Sequence, residues 1–359
     1  MGSQGAQPDL AAAVDYLCSA FLEDGEPDAV RLAPILDRVR GNSPAVAGLP
    51  RYQDAPGAYR GFPLAIPMQR LLRYLYNPQI PQEVVKPFSI RSSVWTTPGA
   101  AEAQRRLWGD PWPPARALVI RGEQYDRTTP DAFTGGCYGM VLRRAIVFLP
   151  DEMAVLSVSV QPGPSEVGTK GYALGGDGEG RYVYSDEEGL TRTGLGWVSS
   201  RIQTNVSIGV YLQDGENVAS GVFQWMRAGW SGLSVVQESH VAASLERYER
   251  LLVERLAGLP VPERLETVFA EASGLSEEEL RGHAGGVFAC WLDSFGGDAP
   301  GDARKLLRDG YEKRLDMGEL VALRMAASLG RDLCHSGFSG VQTSRLEASL
   351  SFQPLSTSR

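Results

Sequence analysis

Two alternating apolar runs joined by an Asp-Gly pair constrain this chain more than any other feature of its sequence. The first run places an apolar residue at every second position, at Val206, Ile208, Val210 and Leu212. The second run covers residues 218–225, and Asp214-Gly215 lies between the two. A period of two puts alternate side chains on one face of a strand, and Asp-Gly suits a tight hairpin turn. The sequence therefore predicts an antiparallel pair over 206–225.

Shorter runs of strand-forming residues precede this hairpin. They cover residues 89–95, 117–121, 140–149, 153–160 and 181–184. A parallel pair of strands needs a crossover of many residues, which is usually a helix. No helix-sized segment separates the runs from residue 117 onwards, so the predicted sheet is mainly antiparallel and covers about residues 117–238.

Apolar residues at helical spacing lie on both sides of the predicted strands. They indicate helices over 10–21, 34–40 and 67–76 before the sheet, and over 241–256, 276–295, 307–315 and 317–329 after it. Ser276, with Glu279 three residues later, is a capping box that starts one of the later helices. The predicted fold class is α+β, a mainly antiparallel sheet flanked by N-terminal and C-terminal helical segments that cover one side of it.

The order of these elements predicts four segments that form one compact unit or two closely packed ones. They are a helical and proline-rich wrapping segment (1–116), an antiparallel β segment (117–240), a helical segment that packs on the sheet (241–335) and a polar tail (336–359). Prolines interrupt residues 43–66 and 77–116, so we expect both stretches to wrap the surface of the core.

Composition limits the classes of protein and partner. Of the 359 residues, 43% are hydrophobic and 22% are charged, which is typical of a soluble globular protein and excludes wholesale disorder. The formal net charge of -8 opposes binding to a phosphate backbone, so nucleic acid is not an expected partner. No uncharged apolar run approaches the ~18 residues that a membrane-spanning helix needs, and no transmembrane segment is predicted.

The basic residues and the start of the chain bear on origin and location. Only Lys86, Lys170, Lys305 and Lys313 are lysines among the 35 basic residues, an arginine bias that a GC-rich bacterial genome explains. The first residues lack the positive and apolar regions of a signal peptide. We expect an exported, periplasmic bacterial protein whose signal peptide is absent from this sequence, with a cytoplasmic protein as the alternative.

Cys137 is the candidate catalytic residue. It lies in Gly135-Gly136-Cys137-Tyr138-Gly139, where the glycines allow backbone N–H groups to approach the sulfur, as a nucleophile and its oxyanion hole require. The alternative, which we favour, is a glycine-rich turn that holds a small buried thiol. The four cysteines are widely spaced and match no zinc pattern, whereas a Cys290–Cys334 disulfide would close the C-terminal helical segment.

The glycine-rich stretch 175–180 has the composition of a nucleotide-binding loop but the wrong context. Residues 181–184 indicate a strand, whereas a phosphate-binding loop opens a helix. The sequence therefore predicts a turn between strands and no cofactor. The acidic residues of this region, Asp177, Glu179 and Asp186, are the candidate metal ligands, but acidic glycine loops are more often solvated turns, so no metal is predicted.

Aromatic residues concentrate between 197 and 230. The candidate binding residues are Trp197, Trp225, Arg227 and Trp230, because tryptophan rings and a guanidinium group can line a shallow groove. The alternative, which we favour, places these rings in the core. In that reading Trp225 shares a strand face with Phe223 and packs under the helix that begins near Val241.

The absence of catalytic motifs decides the functional prediction. The sequence contains no HExxH, no GxSxG and no Walker motif. We therefore expect a non-catalytic binding or interaction protein that takes a protein or a small molecule as its partner. The alternative is a hydrolase or transferase that uses Cys137 or the acidic residues of loop 177–188.

Overall fold

Helices concentrate at the two ends of the chain and long strands at its centre. The computed structural model describes residues 9–41, 47–130, 135–176, 178–188, 191–193, 196–231, 233–295 and 299–331. The helices in these ranges are α1 (Leu10–Cys18), α2 (Ala20–Glu23), α3 (Ala29–Arg40), α4 (Met68–Tyr76), α5 (Gln82–Val85), α6 (Ala100–Ala103), α7 (Glu238–Ala257), α8 (Pro262–Ser273), α9 (Glu277–Phe295), α10 (Gly301–Arg308) and α11 (Met317–Ala326). The strands are β1 (Ala47–Tyr52), β2 (Ala55–Leu64), β3 (Ile90–Trp95), β4 (Leu118–Thr128), β5 (Gly136–Cys137), β6 (Gly139–Leu149), β7 (Ala154–Val160), β8 (Thr169–Ala173), β9 (Tyr182–Glu188), β10 (Thr191–Thr193), β11 (Gly196–Val198), β12 (Arg201–Asp214), β13 (Asn217–Trp230) and β14 (Leu233–Ser234). None of the described helices is long and apolar enough to cross a membrane.

One antiparallel sheet organises the described strands. Its order is β1-β2-β13-β12-β7-β6-β4-β3, with β14 beside β13, and its strand pairs are antiparallel. Two small sheets, β5-β8-β9 and β10-β11, lie apart from it. The predicted fold class, α+β with a mainly antiparallel sheet flanked by helical segments, is therefore confirmed.

Strands β12 and β13 form the predicted hairpin. Asp214 pairs with Asn217 at the turn, and the register continues to Val206 opposite Trp225. The four alternating residues of the first run are 0–4% exposed, which confirms the predicted apolar face. Gly215 adopts a φ of 59°, a left-handed conformation that glycine tolerates best.

Helices cover both faces of the sheet, so the expectation of cover on one side was wrong. On one face, α1 and α3 share a buried cluster with alternate residues of β6, β7, β12 and β13. On the other face, α4, α5 and α7 share a second cluster with the intervening residues, such as Ile146 and Phe148. Strand β6 is therefore buried at every position from Ala145 to Leu149. Continuous apolar runs of this kind are typical of strands covered on both faces.

Strands β1 and β2 extend the sheet into the stretch that was expected to wrap the surface. β2 pairs with β13 from Leu64 opposite Val218 to Gly57 opposite Trp225. β1 covers only the part of β2 from residue 55 to 59. Pro63 therefore lies where one side of β2 has no strand neighbour, and a proline is tolerated at such an edge. The prolines of this stretch concealed its strands in the sequence.

Trp225 lies in the core, as we expected, but against a different neighbour. It is 2% exposed and shares a buried cluster with Phe223. Helix α7 packs on the opposite face, so the predicted contact with that helix was wrong. The Trp225 ring instead lies 5.9 Å from the ring of Tyr52, and its Nε1 donates to the Pro50 carbonyl at 2.9 Å. Both partners belong to β1, which the predicted sheet did not include.

Helices α8–α11 form a third buried cluster, together with the small sheet β5-β8-β9. Leu174 and Val183 contribute the sheet side of this cluster. The backbone N–H of Tyr184 donates to the Tyr311 hydroxyl at 2.9 Å, which fixes β9 against these helices. Helix α11 also contacts α5 and β3. The C-terminal helices therefore pack on the small sheet and on one edge of the main sheet.

Two local predictions are confirmed. The glycine-rich loop lies between β8 and β9 and is a turn, in which Gly175, Gly178 and Gly180 have positive φ angles of 87°, 85° and 76°. Helix α9 begins with the predicted capping box. The backbone N–H of Glu279 donates to Ser276 Oγ at 3.3 Å, and the backbone N–H of Ser276 donates to the Glu279 carboxylate at 2.8 Å.

Candidate functional site

An arginine interrupts the apolar face of β6. Side chains alternate along a strand, so residues 140, 142, 144, 146 and 148 share the face that α4 and α7 cover. Ile146 and Phe148 belong to the buried cluster beneath these helices. Met140 and Leu142 belong to a separate apolar cluster. Arg144 lies between the two clusters and marks a polar region on the sheet.

The Arg144 guanidinium is held by groups on both neighbouring strands. Nη1 donates to Gln124 Oε1 of β4 at 2.6 Å, and Nη2 donates to Ser157 Oγ of β7 at 3.1 Å. Gln124 is buried and donates in turn to Asp126 Oδ1 at 2.6 Å. Among the described residues, Nε of Arg144 is buried and has no hydrogen-bond partner. Arg144 is therefore fixed in position but retains an unused donor.

Aromatic rings stand beside the guanidinium. The Arg144 Cζ lies 5.9 Å from the ring centroids of both Tyr76 and Trp95, a distance at which the ring faces attract the cation. Burial raises the pKa of the Tyr76 hydroxyl above its ordinary range, and the Arg144 charge offsets part of the rise. Tyr211 is also buried, and burial raises its pKa well above its ordinary value. These hydroxyls therefore stay protonated at neutral pH and can act as hydrogen-bond donors.

Small residues form the sheet surface next to Arg144. Ser159 pairs directly with Arg144 across β6 and β7, and Ser207 pairs with Ser159 on β12. Gly209 follows on the same face two residues later. The nearest atom to a Cβ built at Gly209 is the Tyr211 hydroxyl at 3.5 Å, so there is room for a methyl group. Ser159, Ser207 and Gly209 are only half-buried, which leaves this surface partly open.

Lys86 adds a second basic group to the region. It follows α5, and its half-buried side chain makes no hydrogen bond or ion pair with the described residues. The pKa of its amino group is lowered to about 8, chiefly by burial and then by the positive charge of Arg144, against the opposing influence of Asp126 and Glu83. An ammonium group without a partner beside a second cation favours an anion in its neighbourhood.

Glu83 lies one helical turn before Lys86. The pKa of its carboxyl group is raised to about 7, chiefly by burial and then by the negative charges of Asp316, Glu319 and Asp126, although a backbone hydrogen bond opposes part of the rise. The carboxyl group is therefore only partly ionised near neutral pH. We call Arg144, Lys86, Glu83, Asp126 and their small-residue surface the Arg144 site.

The carboxylates near Glu83 belong to a clasp between α11 and the sheet. Arg91 of β3 donates from Nε to Glu319 Oε1 at 2.5 Å, and its Cζ lies 3.9 Å from the centroid of the Tyr184 ring. Arg127 of β4 bonds Asp316 and lies 3.7 Å from Glu319. The two arginines and the two carboxylates of the clasp neutralise one another, so their pairing explains their presence. The Lys86 amino group has no such pairing with the described residues.

Two surface grooves lie elsewhere, and each contains an arginine that is paired with a glutamate. One of about 660 Å³ runs along α9, where Arg281 pairs with Glu277 at 2.7 Å. Another of about 370 Å³ lies between α4 and α8, where Arg73 pairs with Glu266 at 2.7 Å. Titratable groups with strongly perturbed pKa values are a further guide to functional sites. We therefore place the candidate site at Arg144.

Cys137, the predicted catalytic candidate, lies in β5. Its thiol is not part of a disulfide and the residue is 5% exposed, and a Cβ at Gly171 of the neighbouring strand would come within 2.5 Å of its sulfur. Cys18 is also free and buried. Cys290 is disulfide-bonded, and Cys334, its expected partner, lies outside the described residues.

The acidic candidates for a metal site are not brought together. Glu179 pairs with Arg181 at 3.3 Å, and Asp186 pairs with Arg314 at 2.8 Å, while Asp177 lies outside the described residues. In the part of the chain that the structure describes, no group of three His, Cys, Asp or Glu residues could hold a metal ion.

The aromatic candidates are spread over different surroundings. Trp225 faces the helices α1 and α3, on the side of the sheet opposite Arg144. Arg227 and Trp230 are half-buried near the end of β13. Trp197 is part of β11, but its side chain lies outside the described residues. The structure therefore does not unite these four residues in one groove.

The residues of the Arg144 site were not singled out from the sequence. The sequence contained two signals that could have found them. Arg144 occupies a core-facing position in an apolar strand, and Lys86 lies within an apolar run, between Val84-Val85 and Pro87-Phe88. A basic residue inside an apolar run is uncommon unless it is paired or functional. What the sequence lacked was the proximity of the two residues, which belong to different elements.

Comparisons with known proteins do not assign the chain to a family. No family model matches the sequence, and no curated protein matches it. Among solved structures, the human StarD13 (DLC2) lipid transfer and protein localization domain is similar at a TM-score of 0.28 and 8% identity, over 64% of this chain and 96% of that one. The protein Ms6760 from Mycobacterium smegmatis is similar at a TM-score of 0.23 and 10% identity, over 60% of this chain and 98% of that one. Similarity at these scores is too low to support an argument about fold or function.

Proposed function

We propose that this chain is a non-catalytic binding protein that holds a small anionic molecule at the Arg144 site. The observation that carries the proposal is the Lys86 side chain, which makes no hydrogen bond or ion pair with the described residues and whose pKa is lowered in part by the charge of Arg144. The Lys86 ammonium and the Arg144 Nε–H are hydrogen-bond donors without a partner among the described residues, so a carboxylate or phosphate oxygen complements them. Glu83, whose pKa is raised to about 7, opposes an anion less than an ordinary glutamate would.

The shape and surroundings of the site agree with a small ligand. Half-buried serines and Gly209 line the sheet beside Arg144, and the aromatic rings of Tyr76 and Trp95 stand next to it. Such a setting excludes part of the water, which strengthens charge-assisted hydrogen bonds. The net charge of -8 makes a large polyanion such as nucleic acid a poor partner, whereas a small anion meets only the local field.

Titration calorimetry with simple anions tests the proposal. The probes are inorganic phosphate, sulfate, acetate and citrate, with glycerol as the uncharged control. We expect at least one anion to bind, and Lys86→Gln and Arg144→Gln each to weaken that binding about tenfold or more, since each removes a charge-assisted hydrogen bond. Lys305→Gln is the matched control, because Lys305 is exposed and distant in sequence from the site. Equal binding by all four proteins, or no binding of any anion, would refute the proposal.

The enzymatic alternative stays a prediction with its own test. A hydrolase or transferase that uses Cys137 needs a thiol that reacts quickly near neutral pH. Because Cys137 is only 5% exposed, we expect its thiol to be labelled slowly in the folded protein. The acidic alternative needs unpaired carboxylates, and Glu179 and Asp186 each have an arginine partner. Rapid labelling of Cys137 by a thiol reagent at pH 7 would favour the enzyme over the binding protein.

A further inference from the structure

We propose that residues 335–340, which follow Cys334, lie along an exposed face of helix α9 and fill the groove beside it. The occupant is therefore a segment of this chain that lies outside the described residues. Three observations point to it: a disulfide at Cys290, a helix face without side chains larger than a methyl group, and a groove that continues from this face. None of them involves the Arg144 site, so the inference is independent of the proposed function.

A disulfide joins α9 to the segment that follows α11. Cys290 is disulfide-bonded, whereas Cys18 and Cys137 are not part of a disulfide. The chain has four cysteines, so the partner of Cys290 is Cys334. The Cα atoms of two bonded cysteines usually lie about 4.4–6.8 Å apart, so the chain at residue 334 lies against α9.

The described chain leads to this point on α9. Its last residue is Arg331, three residues before Cys334, and three residues of chain span about 10 Å at most. Leu329 packs against the buried cluster to which Val287 and Trp291 of α9 belong. Helix α11 also contacts α9 directly. The path from α11 to Cys290 therefore needs no long loop.

The face of α9 next to Cys290 carries no side chain larger than a methyl group. Gly282, Gly286 and Ala289 recur at intervals of four and three residues, which places them one above the other on the helix. All three are exposed, and no side chain or other segment of the described chain lies within 4 Å of a Cβ built at Gly282 or Gly286. Glycine inside a helix costs about 1 kcal/mol relative to alanine. No described neighbour explains that cost, whereas a backbone segment lying close against the helix does.

The groove of about 660 Å³ continues from this face. Gly282 lines it on α9, and Glu312 and Lys313 line it on the turn that follows α10. Its volume lies within the range of pockets that enclose a ligand.

The distances from the disulfide match the position of the groove. Gly282 lies eight residues before Cys290, which is about 12 Å along the helix axis. Phe338 lies four residues after Cys334, which is about 13 Å in an extended segment. It is the first large apolar residue after Cys334, because only His335-Ser336-Gly337 lies between them. The Phe338 ring therefore reaches the groove at the level of Gly282.

Cleavage by chymotrypsin after Phe338 tests the inference on the full chain. The release of residues 339–359 is followed with time by mass spectrometry, with the disulfide intact and after reduction by a phosphine. We expect cleavage to be at least about tenfold slower with the disulfide intact, because proteases cut exposed segments and not docked ones. Reduction changes no other bond between cysteines, since Cys18 and Cys137 are not part of a disulfide.

A larger side chain on the glycine face provides the second comparison. Gly282→Leu occupies the place of the segment, so cleavage after Phe338 should become about as fast as in the reduced protein although the disulfide remains. Leucine favours the helical conformation, and circular dichroism confirms that the variant is folded. Ala243→Leu is the matched control, because Ala243 is an exposed small residue of α7 that does not line the groove. It should leave the cleavage rate unchanged.

Three results would overturn the inference. One is equal cleavage after Phe338 in the disulfide-bonded and the reduced protein, and another is slow cleavage that persists in Gly282→Leu. The third is a dimer, detected by light scattering, that Gly282→Leu converts to a monomer, because a second copy of the chain would then occupy the face. None of these results bears on anion binding, so the proposed function is tested separately.

Discussion

The contact between Trp225 and Gly57 allows a quantitative test of the sheet. The two residues are cross-strand partners on β13 and β2. A Cβ built at Gly57 would lie 2.3 Å from Cδ1 of the Trp225 ring, closer than any real contact. The ring is 2% exposed and its Nε1 donates to the Pro50 carbonyl at 2.9 Å. Gly57 is therefore needed because the indole lies across its Cα.

The expected cost of each single substitution follows from this geometry. Trp225→Ala removes a buried ring and leaves a cavity, which costs about 3–5 kcal/mol of unfolding free energy. Loss of the indole donor to Pro50 adds to this cost, because the carbonyl group loses its partner. Gly57→Ala forces the ring to move and costs about 1–3 kcal/mol, as overpacking does elsewhere.

The double variant decides whether the two effects share one contact. Once the ring is absent, the added methyl group meets no obstacle, so Gly57→Ala should cost about 0.5 kcal/mol or less in the Trp225→Ala background. The unfolding free energies of all four proteins are measured by guanidinium denaturation, with far-ultraviolet circular dichroism as the signal. Tryptophan fluorescence is unsuitable as the signal, because the substitution of Trp225 itself changes it. Trp230→Ala is the control, because Trp230 is only half-buried and should cost less.

Additivity would refute this reasoning. If the double variant loses the sum of the two single costs, the ring does not lie across Gly57, and the pairing of β2 with β13 is not as described. A Trp225→Ala cost below that of Trp230→Ala would contradict the burial of Trp225 in the core.

Three further predictions concern other parts of the chain. Gly285→Ala in α9 should raise the unfolding free energy by about 0.5–1 kcal/mol, because alanine favours the helical conformation and no atom lies within 4 Å of a Cβ built at this position. A lower urea midpoint would contradict this prediction. Glu319→Ala leaves the largely buried Arg91 side chain without its carboxylate partner and should lower the unfolding free energy by about 3–5 kcal/mol. Amide hydrogen exchange in α11 should also become faster, and unchanged exchange would show that the clasp does not hold that helix. The pKa of Glu83 is raised from 4.5 to about 7 in the folded protein, so the contribution of its protonated carboxyl group to stability is complete below pH 4.5 and is lost as the pH rises through 7. Glu83→Gln should therefore flatten the dependence of the urea midpoint on pH across this window. An unaltered dependence would argue against burial of the carboxyl group.

Much of the fold was determined locally and could be predicted from the sequence. The alternation from Val206 to Leu212 and the Asp214-Gly215 turn specify a hairpin, because period and turn chemistry act over a few residues. Helix α9 begins at its capping box for the same reason. The antiparallel character of the sheet followed from the short connections between strands, which leave no room for crossover helices.

The strands β1 and β2 depended on partners distant in the chain. Their prolines and glycines indicate loops when read alone, and only pairing with β13 makes Ala55–Leu64 a strand of the sheet. Propensity is a weak guide at such positions, because cross-strand neighbours decide whether a residue fits. The burial of Trp225 on the same strand face as Phe223 was predictable, but the side of the sheet that it faces and its contact with Tyr52 were not.

The Arg144 site was decided by tertiary structure alone. Periodicity places Arg144 on one face of β6, yet it does not say that Gln124 and Ser157 flank it or that Lys86 lies nearby. Those neighbours come from β4, β7 and the residue after α5, and the strand order sets their distances. The pKa values of Lys86 and Glu83 depend on that assembly, because burial and neighbouring charges exist only once the chain has folded.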